Sequence, residues 1–183
     1  RAQALGMPLL CHTGLLSKSA ETTNAGSGMS LMRADMMDTL ATRYPELLIQ
    51  GAHIGTPNIM EALLTCVYSP NLMWDASGGC RHLLIRNPLL MSAAMEHNPG
   101  IWNHLTWATD TTQGVFEPKY ADGWKTQYEY QIAFWQRILS KMDPRPDTGQ
   151  LDAFFFKNAE TWVDRIRKKR KASRARRVGV PIS

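Results

Sequence analysis

The chain has 183 residues, 44% of them hydrophobic and 20% charged, the proportions of one ordinary folded domain rather than of a disordered or fibrous chain. No apolar run approaches the ~18 residues that a membrane span needs. Cys11, Cys66 and Cys80 are widely spaced, with no CxxC, which excludes a disulfide framework and a thiolate zinc site and makes reduced thiols in a cytoplasmic protein the expectation.

The net charge of +5 is unevenly spread. Nine of the 21 Lys and Arg lie between Arg165 and Arg177, and no acid follows Asp164. The other 12 basic residues face 16 acidic ones, so a mildly acidic body carries a basic tail, and the charge does not mark the body as nucleic-acid-binding. The chain opens on Arg1 without a signal-peptide pattern. RAQALG reads as the last turn of a helix closed by Gly6, as if the sequence began in the middle of something.

In chain order, short apolar runs predict strands at Met7 to Cys11, Leu47 to Ala52, Leu72 to Trp74 and Leu105 to Ala108. Between and after them, 3.6-residue periodicity predicts helices over about 28–44, 58–68, 88–97, 124–142 and 150–167. Asn87 and Pro88 suit an N-cap and a first helical residue, and Asp122 suits a cap for the next helix. The aromatic residues of the last two helices read as core packing. Residues 167–183 are poor in apolar side chains and are expected to be disordered, which divides the chain into a domain over 1–166 and a tail over 167–183.

Strand–helix alternation predicts an α/β fold with a parallel sheet. Helix-to-strand links are short and carry proline (YPE at 44–46, YSPN at 68–71, HNPG at 97–100), whereas strand-to-helix links over about 13–28, 75–87 and 111–123 are long and polar. That asymmetry belongs to barrels and open sheets whose site lies at the strand C-termini.

Each apolar run leads into a polar residue: His12 in PLLCHTG, His53 in GAHIG, Asp75 in LMWDASGG and Asp110 in LTWATD. In a parallel sheet all four gather at one edge. Strand alternation refines this. If His53 points inward, so do Gly51 and Ile49; if Asp110 does, so do Ala108 and Thr106. Imidazole nitrogen and carboxylate oxygen are the ligands of a catalytic zinc or similar ion with an open position, and such an ion lowers the pKa of bound water toward ~7. A second histidine beside it serves as ligand or as general acid/base. Taken singly, a histidine after a strand is more often structural and an aspartate more often a helix cap. Together, His12, His53 and Asp110 favour a metal site, while Asp75 favours capping or loop hydrogen bonding. His104 precedes Asp110 by six residues, ~20 Å along an extended strand, at the opposite end. His97 shares that end. His82 reads as a surface residue, and Arg81 is a candidate for holding a substrate carboxylate.

These residues resemble the amidohydrolase-related metal-dependent hydrolases, on the branch of the aminocarboxymuconate-semialdehyde decarboxylases. Members carry a fifth-strand histidine in an HTG-like motif, a sixth-strand histidine in an AHxG-like motif and an eighth-strand aspartate. His12, His53 and Asp110 stand at these positions. FFFKNAETWV is similar to the family's end, where an asparagine–alanine pair opens the last helical turn. Two departures are visible: Thr56 replaces a second glycine after HxG, and Thr111 and Thr112 follow Asp110 where a proline often comes second.

The resemblance covers about residues 1–166. It implies the C-terminal half of a (β/α)8 TIM barrel, strands five to eight, with the N-terminal half and its first-strand ligand pair, commonly HxH, supplied elsewhere. It implies a divalent metal, zinc with manganese as the other choice, bound by His12. Asp110 binds it or takes a proton from its water, and His53 orients and protonates substrate or completes the coordination. The implied function is a metal-dependent hydrolase of a small organic acid, lactone, amide or ester. The alternatives are a non-oxidative decarboxylase of the same superfamily and a non-catalytic fragment lacking the first-strand ligands. The implied partners are a small-molecule substrate, the missing half-barrel and a second copy of the chain. The basic tail adds a separate reading, as a tether to nucleic acid or an anionic surface.

Overall fold

The computed structural model describes residues 1–13, 33–78, 80–110 and 123–178, without the side chains of 81, 82, 123–127, 177 and 178. Four parallel strands form one sheet in sequence order: β1 (Leu9–Cys11), β2 (Ile49–Gly51), β3 (Leu72–Ala76) and β4 (Leu105–Trp107). The register pairs Leu10 with Gln50, Gln50 with Met73, and Asp75 with Thr106. Helices α1 (Ala34–Arg43), α2 (Ile59–Thr65), α3 (Cys80–Leu84), α4 (Leu89–His97), α5 (Gly123–Leu139), α6 (Thr148–Asp152) and α7 (Asn158–Val178) accompany them, with a π-helical turn at Ala153–Lys157 joining the last two and 3₁₀ turns at Gln3–Leu5, Ala52–Gly55 and Pro99–His104. The parallel α/β order expected from the apolar runs is the observed one; β1, β2 and β4 are shorter than predicted, and β3 runs two residues longer, to Ala76.

One face of the sheet packs on helices. Ile49, Leu72, Trp74, Ala76 and Leu105 are buried against Met37, Leu63, Met91, Trp135 and Phe154, residues of the surrounding helices and the π-helical turn. Gly51 is required here, because a β-carbon would stand 2.1 Å from the Trp74 ring. The other face carries Leu48 and Met73, covered by Trp162, and Leu10, which is 71% exposed. Cys66 and Cys80 are buried free thiols and Cys11 is partly buried; burial pushes the Cys66 thiol up.

α7 crosses the N-terminal ends of the strands. Asn158 Nδ2 donates to the carbonyls of Trp102 and Leu105 at 2.5 and 2.6 Å. Arg165 donates to Pro70 O at 3.0 Å, Lys169 meets Glu46 at 2.5 Å, and Ser173 Oγ donates to Ala4 O at 2.8 Å. These contacts fall just before or at the start of β4, β3, β2 and β1 in turn. The disorder expected from residue 167 onward is therefore corrected up to Val178, the last described residue of the helix. Composition misleads because the docking stripe needs few apolar side chains: Trp162 and Ile166 pack on the sheet, and Ser173 and the backbone of Lys169 lie against Ala4 and Gly6. Residues 179–183 lie outside the described residues. No described helix is long and apolar enough to cross a membrane.

Candidate active site

The C-terminal ends of the strands face away from α7, and there the chain brings His12, His53, Asp75 and Asp110 toward one another. β1 ends at Cys11, so His12 is the first residue beyond it, and it is exposed. β2 ends at Gly51 and passes into a 3₁₀ turn over Ala52–Gly55. His53 (φ 66°) and Ile54 (φ 46°) adopt left-handed backbone in that turn, and Ile, being β-branched, is seldom found there. Asp110 (φ 55°) is the third non-glycine residue with positive φ among the described residues. All three lie at this rim, where unusual backbone marks sites held in place by their surroundings.

Thr13 holds the turn. Its hydroxyl donates to Ala52 O and accepts from Gly55 N at 3.0 Å. Thr56, in the place of the second glycine, donates its hydroxyl to His53 O at 2.6 Å.

The side chains form a chain of contacts. His53 Nε2 lies 3.2 Å from His12 Nδ1, the two rings meeting edge to face at 4.8 Å between centroids. His53 Nδ1 lies 2.9 Å from Ser77 Oγ, and Ser77 donates its hydroxyl proton to Asp75 Oδ1. Asp75 also accepts from the backbone N–H of His53 at 3.2 Å and, through Oδ2, from Gln50 Nε2 at 3.0 Å. Asp75 thus has the loop hydrogen-bonding role expected of it, and it is 4% exposed.

Asp110 comes in beside Gly78. A β-carbon on that glycine would stand 2.5 Å from His53 Nδ1 and 2.7 Å from Asp110 Oδ2, so the two groups border one small space. Gln131 of α5 steadies this stretch by donating to Thr109 O at 3.1 Å.

The alternation rule does not deliver His53 to the rim. Ile49 and Gly51 face the helices, Gly51 against Trp74. The strand stops before His53, and the left-handed turn redirects the side chain toward His12. Among the described residues, no group of three or more His, Cys, Asp or Glu is arranged to hold a metal ion. The two imidazole nitrogens converge, with the Asp110 carboxylate beside the Nδ1 edge of His53. The side chains of Arg81 and His82, in α3, lie outside the described residues, as does Asp122. His104 is at the opposite end, as expected, donating from Nδ1 to Leu72 O at 2.8 Å.

Ser77, Thr13 and Gln50 were not singled out by the sequence. The signal for Ser77 was its spacing: two residues after Asp75 it returns to the same side of the chain.

No protein-family model and no curated protein matches this chain. Among solved structures it resembles the crystal structure of an uncharacterized TIM-barrel protein from Bordetella bronchiseptica, with a TM-score of 0.60 and 16% identity over 90% of this chain and 48% of that one. The chain has the fold of part of a TIM barrel. It spans about half the length of that neighbour, at 48%, and at 16% identity the likeness carries the fold alone.

Proposed function

We propose that the chain contributes to a metal-dependent hydrolase acting on a small organic acid, lactone, amide or ester. The observation that carries this reading is the pair of imidazole nitrogens, His12 Nδ1 and His53 Nε2, facing each other across 3.2 Å at the rim of the sheet. Two nitrogens bound to one tetrahedral zinc at 2.0–2.1 Å are about 3.3 Å apart, so the spacing suits a shared ion as well as a hydrogen bond. Two nitrogens are half of a ligand set. The resemblance to the amidohydrolase-related family supplies the rest by placing a ligand pair on the first strand of an N-terminal half-barrel, this sheet being strands five to eight. The exposed Leu10, on the sheet face away from the helices, and the exposed His12 beyond it agree with such a closure.

A divalent cation held there, zinc or manganese, would polarise a substrate carbonyl and activate a water molecule. The chain's own groups do the remainder. Asp110, exposed beside His53, is placed to accept a proton at its carboxylate. The Thr13 clamp holds the turn, Asp75 the backbone N–H of His53 and Ser77 its ring, so orientation is set before substrate arrives.

The test is a titration of the chain with Co2+ and Zn2+ in competition with a chelator, alongside His12→Ala and His53→Ala. The expected result is binding, weak with two nitrogens, that each substitution abolishes. Equal binding by all three proteins would defeat the reading. Assaying the metal-loaded protein on lactones, esters, amides and aromatic carboxylates separates the chemistries: carbon dioxide release without hydrolysis would replace the hydrolase by a decarboxylase.

A further inference from the structure

We infer that Ser77, backed by Asp75, is a positioning residue that fixes the proton of His53 on Nδ1 and turns the lone pair of Nε2 toward His12. A serine hydroxyl carries one proton and two lone pairs, and a carboxylate only accepts. Asp75 receives three hydrogen bonds on its two oxygens, from the His53 backbone, Gln50 and Ser77. The hydroxyl proton of Ser77 is therefore committed to Asp75. The 2.9 Å contact between Ser77 Oγ and His53 Nδ1 then needs its proton from the imidazole. A neutral His53 so held has no proton left for Nε2, which stands 3.2 Å from His12 Nδ1.

The groups around this chain are in place to keep it. Ser77 is 3% exposed and Asp75 4%, so water does not compete well for either. Gly78 leaves no side chain between His53 and Asp110. The His53 backbone N–H bonds the same Asp75 oxygen that Ser77 uses, so ring and backbone are referred to one carboxylate. Histidines that bind metals are commonly oriented by donating their other N–H in this way. The tautomer stands on the hydrogen bonds alone; the use of the Nε2 lone pair as a ligand rests on the metal reading above.

The experiment uses the whole chain, 15N-labelled, at one neutral pH. Long-range 1H–15N correlation reads the two ring nitrogens of His53, assigned by loss of the signals in His53→Gln. The expected spectrum has a protonated Nδ1 and an unprotonated Nε2, the reverse of the form free histidine prefers. Ser77→Ala, which removes one oxygen, should move His53 toward the Nε2–H form, and Ser77→Thr, which keeps the hydroxyl, should restore the wild-type pattern. A wild-type His53 protonated on Nε2, or a tautomer unmoved in Ser77→Ala, would overturn the assignment.

Co2+ affinity measured on the same proteins should fall by ~10–100-fold in Ser77→Ala. If the wild type shows the expected tautomer, controlled by Ser77, yet binds no Co2+, the relay stands and the metal reading fails. If it binds Co2+ while Ser77→Ala changes neither tautomer nor affinity, the relay fails and the metal reading stands.

Discussion

His53 and Asp110, 57 positions apart in the sequence, share the space left by a missing side chain. Gly78 has φ +55°, and a β-carbon there would stand 2.5 Å from His53 Nδ1 and 2.7 Å from Asp110 Oδ2. Both distances are well inside van der Waals contact, so neither group can stay where it is if that carbon exists. Gly78→Ala therefore adds a clash to a backbone conformation that costs a residue with a β-carbon ~1–2 kcal/mol. The expected outcome is a lower denaturation midpoint together with loss of the Ser77–His53 contact, read as a shift in the His53 ring nitrogens. A variant as stable as the wild type with an unchanged His53 spectrum would show that the rim is looser than described.

The strand ends were legible because burial writes them plainly. An apolar run that stops at a polar residue marks the place where a buried strand reaches the surface, and His12, His53, Asp75 and Asp110 were found that way. What the pattern could not carry was the direction of each side chain after its strand stopped. Alternation puts His53 on the same face as Gly51, but β2 ends at Gly51 and a left-handed turn intervenes. Gln50 and Asp75 meet because β2 and β3 are neighbours, a relationship fixed by register and invisible in either segment. The end of α7 is hidden for the opposite reason: its composition is that of a solvated tail, and its hold on the body comes from a few specific contacts that composition does not count.

One of those contacts is sensitive to pH. The hydrogen bond and charge of Lys169 hold the Glu46 carboxyl below its ordinary value of 4.5. A carboxyl lowered in the folded state contributes stability that is present above the unfolded value and lost as pH falls through the folded one. Lys169 should therefore help to dock the end of α7 at neutral pH and cease to do so in acid. Hydrogen exchange of the α7 amides in wild type and Glu46→Gln tests this. At pH 7 the variant should exchange faster beyond Lys169, and the difference should shrink as the pH falls below the ordinary carboxyl value. A difference that does not shrink with falling pH would assign the effect to packing instead of charge. Because the pair is exposed, added salt should narrow the pH 7 difference.

The start of α7 depends on an amide with two obligations. Asn158 is 8% exposed, and its Nδ2 donates to the carbonyls of both Trp102 and Leu105, tying α7 to the turn that leads into β4. Asn158→Ala leaves two buried acceptors without this donor, at a cost on the order of 1–3 kcal/mol. Asn158→Asp keeps the shape but sets a carboxylate oxygen against two carbonyl oxygens, so at neutral pH it should destabilise more than alanine does. In acid the protonated carboxyl regains one donor, and the gap between the two variants should shrink. Urea denaturation of the three proteins at pH 7 and pH 4 reads both effects. An aspartate variant as stable as the wild type at pH 7 would mean that the amide is not the donor these carbonyls rely on.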